Sequence, residues 1–201
     1  MIKTAILSFA FLCFVLAGFA QAQDTATRQE PDAAKNEVLA KAYGDGDLTA
    51  SYDAFPTLHP LVVHFPLVLL LLAAIAQVAA FFVFKRELSW VTLLLLAGGF
   101  IGAVVAATLV HLHTQGLAER AQQVLEIHET YATYTLWLSG IAVLIKAISH
   151  FYFKRRLMAE IVTVVVVVAS ATFVSLAGHY GSQLAYVEGI GAQGRFIEQH
   201  E

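Results

Sequence analysis

Cysteine is almost missing from this chain: of 201 residues only Cys13 is one, and it lies in a segment that reads as a removable leader. A mature chain without it has no disulfide, no thiolate zinc site, no iron–sulfur cluster and no covalent c-type haem. Charge is scarce too. Asp, Glu, Lys and Arg make up 13% of the residues against 58% hydrophobic ones, which excludes an ordinary soluble domain. The net charge of −3 gives no reason to expect a nucleic-acid partner. Any metal or cofactor must therefore be held by histidine, carboxylate or thioether. Of the two methionines, Met158 sits far from most of the histidines, so soft ligands for Cu(I) are missing beside them.

Hydrophobic runs are plentiful. Met1-Ile2-Lys3, the apolar stretch Thr4 to Ala20 and the small residues of Ala20-Gln21-Ala22 form a secretory signal peptide, residues 1–22, with cleavage expected after Ala22. Residues 23–57 are polar and acidic and read as an extracytoplasmic tether. Within it, Gly44-Asp45-Gly46-Asp47 suggests a calcium loop. Counted from Asp45, however, the glycine and glutamate positions of an EF-hand hold Ala50 and Pro56, which rejects that reading.

Residues 58–192 carry four apolar spans, at about 60–84, 88–111, 129–153 and 158–180, each long enough to cross a hydrocarbon core of ~30 Å. Residues 193–201 form a tail. Lys85 and Arg86 separate the first two spans, and Lys154, Arg155 and Arg156 the last two. Short basic loops mark the cytoplasmic side, so both termini are expected on the periplasmic face of a bacterial inner membrane. The predicted fold is all-α, a four-helix transmembrane bundle in up-down-up-down order. Gly98, Gly99, Gly102, Ala103, Ala106 and Ala107 form a row of small residues, expected to admit a neighbouring helix, a flat ligand or a second copy of the chain.

Histidine is the residue type that carries chemistry here. His64 stands 21 residues before Lys85, His111 25 after Arg86, His128 26 before Lys154 and His179 23 after Arg156. At ~1.5 Å per residue their depths differ by about 8 Å, which predicts one histidine layer near the outer surface. His59 and His113 lie just outside it. The face of His179 carries Ser175 and Thr172, that of His128 carries Tyr131, Ala132 and Thr135, and His111 closes the row Gly99, Ala103, Ala107, so these rings are expected to look inward. Pro60 suits a first helical position. Pro66 frees the carbonyl of Val62, which is expected to receive the second N–H of His64. Gln77 and Lys146 are the strongly polar residues deep in the spans, and Lys146 lies close enough to the inner face to snorkel.

The stretch His59 to Pro66 (HPLVVHFP), His128-Glu129-Thr130 and Gly178 to Gly191 (GHYGSQLAYVEGIG) resemble the bacterial membrane family known as domain of unknown function 2231, over about residues 55–192. The family pattern has a second glycine where this chain has Ser182, and valine where it has Ala185. The resemblance implies a four-helix inner-membrane domain. It also implies electron transfer, because similar domains are joined to cytochrome or Rieske-type partners, and it points to His59, His64, His128 and His179.

Three functions remain open on the residues. The first is b-type haem held by two imidazoles, His64 with His128 or His111 with His179, with Tyr131, Tyr180, Ser182 and Arg120 near the propionates. The second is a copper or zinc site made by His64, His111, His128 and His179, with His59 and His113 at its edge. The third is a cofactor-free membrane anchor or assembly subunit. Electron transfer or binding fits the residues better than catalysis.

Overall fold

The computed structural model describes Phe55, residues 57–111 and residues 113–191. The expected leader, most of the tether and the tail lie outside the described residues. Within them the chain forms four helices: α1 (His59–Ala79), α2 (Lys85–Thr108), α3 (Glu119–Phe151) and α4 (Leu157–Tyr186). All four are long and apolar enough to cross a membrane. The chain is thus an all-α bundle and, with the family match reported below, an integral membrane protein.

The helices alternate in direction. Along α2, Gly98 meets Leu69, Gly99 meets Leu70, and Gly102 meets Pro66, so one helix climbs as the other descends. Gly178 of α4 meets Leu67 of α1, and Gly140 of α3 meets Phe100 of α2. Each helix packs on two neighbours in the ring α1, α2, α3, α4, which leaves α1 diagonal to α3. The interior is narrow: Leu70, Leu96, Ala142 and Val167 are wholly buried at its middle. Outward positions are apolar and open, with Ile75, Leu94, Leu144 and Val165 each more than 60% exposed, as lipid-facing residues are.

The small-residue row does not receive a flat ligand or a second copy along Gly98, Gly99 and Gly102; α1 fills it. A Cβ on Gly99 would stand 2.8 Å from Leu70 Cδ2, and one on Gly102 would stand 2.9 Å from Pro66 Cδ. A proline ring lies against α2 here because glycine lets the two backbones come this close.

The second hairpin repeats the first. Pro66, Leu70, Ala73, Gln77 and Ala80 recur 69 residues later as Thr135, Ser139, Ala142, Lys146 and Ser149, and all ten are buried. Thr92, Leu96, Gly99, Ala103 and Ala106 recur 71 residues later as Thr163, Val167, Ser170, Val174 and Ala177, again all buried. With the ring order, this gives the bundle an approximate two-fold relation about its long axis. Helices α3 and α4 continue past the apolar spans, where Ala121 and Val124 pack with Leu184 and Ile190.

Candidate functional site

At the histidine end, two rings meet across the diagonal. His59 opens α1, its turn set by Pro60 at the second position, and its ring centroid lies 6.5 Å from that of His128 on α3 at an interplanar angle of 71°. His59 Nδ1 donates to the carbonyl of Val110, just past the end of α2, at 3.2 Å. His128 Nδ1 donates to the carbonyl of Ala177 on α4 at 2.8 Å. A carbonyl can only accept, so Nδ1 carries a proton in both rings. His59 lies close to the backbone of Ala106 on α2 as well. An Nδ1–carbonyl bond is the support a ligating imidazole ordinarily has. One bond ties α1 to the segment after α2 and the other ties α3 to α4, and the ring contact joins the two pairs. Gly181 makes room for the His128 ring, since a Cβ there would lie 3.2 Å from His128 Cε1.

The rest of the expected layer does not converge. His64 is exposed, and its Nδ1 bonds the carbonyl of Pro60 in its own first turn rather than that of Val62. Helical side chains lean toward the N-terminus, which brings Pro60 within closer reach. His179 is exposed as well, on a face shared with Thr172, Ser175 and Ser182. Those hydroxyls bond carbonyls four residues back, Val168, Ala171 and Gly178, so a hydroxylated face meets lipid without an unsatisfied donor. α2 ends at Thr108, which leaves His111 on the connecting segment, its ring 5.5 Å from that of His113 and its Nε2 3.9 Å from Glu129 Oε1. Among the described residues no three His, Cys, Asp or Glu side chains converge as a metal ion requires. Of the residues expected near a propionate, Tyr131 stacks on Tyr180 at 5.6 Å, Ser182 is bonded to its own helix, and Arg120 pairs with Glu188 at 3.5 Å.

The basic end holds a second polar site. Glu160 of α4 accepts from Gln77 Nε2 at 2.7 Å, Lys146 Nζ at 2.9 Å and Ser149 Oγ at 2.7 Å. Lys146 is wholly buried and does not snorkel; a carboxylate inside the bundle takes its charge instead. Ser89 of α2 shares a 2.9 Å hydrogen bond with His150 Nδ1 of α3, which brings the remaining helix into the same end.

Residues 56–194 match a family profile described as "predicted membrane protein (DUF2231)". The chain belongs to that family. Comparison with curated proteins and with solved structures gives no match. The matched segment spans the whole DUF2231 bundle, both polar ends included. His59, expected at the edge of the layer, is the histidine that meets His128, and a signal for this is present in the sequence. His59 precedes Phe82 by 23 residues and His128 precedes Phe151 by 23, each phenylalanine opening a Phe-x-Phe-Lys-Arg-x-Leu turn. In the DUF2231 bundle His59 and His128 are thus equivalent positions of the two hairpins, and their approach follows from the two-fold relation.

Proposed function

We propose that this protein holds a b-type haem between His59 and His128 and serves electron transfer in a bacterial inner membrane, with the basic turns on the cytoplasmic side. The observation that carries the reading is the ring pair itself, two imidazoles from diagonal helices, each anchored through Nδ1 to a backbone carbonyl. The donor count points the same way. An ion held by protein alone wants three or four ligands, whereas a haem iron brings four nitrogens of its own and wants two. If haem binds, His59 and His128 are the two side chains that would hold it, their rings already neighbours at 6.5 Å. When bound, the iron would supply a one-electron couple; a cytochrome or Rieske-type protein is the partner that couple calls for. The chain's own residues orient the two rings through the Nδ1 bonds, and Gly181 gives the His128 ring room.

A second reading rests on how closed the packing is. The contacts of Gly102, Gly178 and Gly181 leave no slot beside the rings, so a macrocycle enters only by parting α1 from α3. If the rings serve instead as a clasp for the four helices, the protein is a cofactor-free anchor. Titrating haemin into the detergent-solubilised protein decides between the two. Saturation at one equivalent with a low-spin spectrum, lost in His59→Ala and in His128→Ala but kept in His64→Ala, supports haem. A featureless titration leaves the clasp.

A further inference from the structure

Phe82-Val83-Phe84-Lys85-Arg86-Glu87-Leu88 at the turn of the first hairpin returns as Phe151-Tyr152-Phe153-Lys154-Arg155-Arg156-Leu157 at the turn of the second. Both turns hold residues with a Cβ in the left-handed region: Phe84 at φ 42°, Lys154 at 46° and Arg155 at 61°. Glycine or asparagine would reverse the chain there with less strain. The two turns sit side by side. His150, four residues before Lys154, bonds Ser89 at 2.9 Å and lies 4.4 Å from the Trp90 ring, three and four residues past Arg86. Five cations therefore share this end. Among the described residues none of the five makes an ion pair, and Glu160, the nearby buried carboxylate, is committed to Lys146. Phe82 and Phe84 are 78% and 73% exposed, and Tyr152 79%; Tyr152 and Trp90 are of the kind that settles at a membrane interface.

We propose that these paired Phe-x-Phe-Lys-Arg turns bind the headgroups of anionic phospholipids, the recognised group being the phosphodiester. Guanidinium and ammonium groups supply charge-assisted hydrogen bonds to phosphate oxygens, the rings hold the acyl-chain boundary at the right depth, and the chemistry is built once per hairpin. Keeping Lys154 and Arg155 in left-handed backbone, where glycine would be easier, fits residues retained for their side chains.

The test uses the full chain in a mild nonionic detergent, titrated with phosphatidylglycerol or phosphatidylcholine of equal acyl length, with lipid binding read by native mass spectrometry and lipid-induced stabilisation by thermal shift. Phosphatidylglycerol is expected to bind at least about tenfold more tightly. Lys85→Ser with Arg86→Ser, and Lys154→Gly with Arg155→Gly, should each weaken that preference. The glycine pair is the discriminating variant: it relieves strain, so its stability in phosphatidylcholine stays level or rises while its response to phosphatidylglycerol falls. Equal affinity for the two lipids, an undiminished preference in the glycine pair, or equally tight binding of soluble glycerol phosphate would overturn the proposal.

Discussion

Replacing Glu160 by Gln removes the one negative charge facing Lys146 while keeping the size and shape of the side chain. In the native bundle the carboxylate takes three hydrogen bonds, from Gln77, Lys146 and Ser149, and its side chain is only 13% exposed while Lys146 is wholly buried. The amide retains one acceptor oxygen and turns an N–H2 group toward donors that have nothing else to meet. Breaking one side of a buried pair costs roughly 3–5 kcal/mol because the remaining charge is stranded. The residual exposure of Glu160 argues for the lower end, about 3 kcal/mol, or roughly a hundredfold in the folding equilibrium. Removing both charges together, Lys146→Met with Glu160→Leu, should recover part of that loss, since the stranded charge goes while Gln77 and Ser149 still lose their acceptor. Unfolding in mixed micelles by rising dodecyl sulfate, followed by tryptophan fluorescence, measures both variants. A loss below about 1 kcal/mol for Glu160→Gln, the size of a solvated surface pair, or a double variant as unstable as the single one, would refute the reasoning.

Other outcomes follow from the packing. Gly102→Ala places a methyl 2.9 Å from the rigid ring of Pro66 and should lower stability by about 1–3 kcal/mol, measured in the same assay. Ser170→Ala should be neutral or mildly stabilising, because the buried Oγ of Ser170 has no hydrogen-bond partner among the described residues and burying an unpaired hydroxyl is unfavourable; a loss above about 1 kcal/mol would contradict this. His179→Ala, at an exposed position, should leave both folding and any haem spectrum unchanged.

The number, order and all-α character of the helices were legible because they depend on hydrophobic length and on where the basic turns fall. Facing was not. On α4, Thr172, Ser175 and His179 read as an inward polar face, yet self-bonded hydroxyls carry little information about burial, and the interior face is the row Thr163, Val167, Ser170, Val174. Depth counting placed His64 and His128 together, but depth says nothing of rotation about the helix axis. His64 stands two residues before the buried Pro66, about 200° around the helix, and so faces outward. The comparison that carries rotation as well as depth is the repeat: equivalent positions in two hairpins share both, which is why His59 and His128 meet. Lys146 was seen but its partner was not, because Glu160 lies only four residues past a basic turn and reads as a surface carboxylate.

Whether His59 and His128 together hold one haem is read from the visible spectrum of the protein purified with haem available, before and after dithionite. A shared haem predicts a Soret band with sharp α and β bands on reduction, at one haem per chain, and their disappearance when either His59 or His128 is replaced by Ala. A colourless protein, or a haem spectrum that survives both replacements, would contradict it.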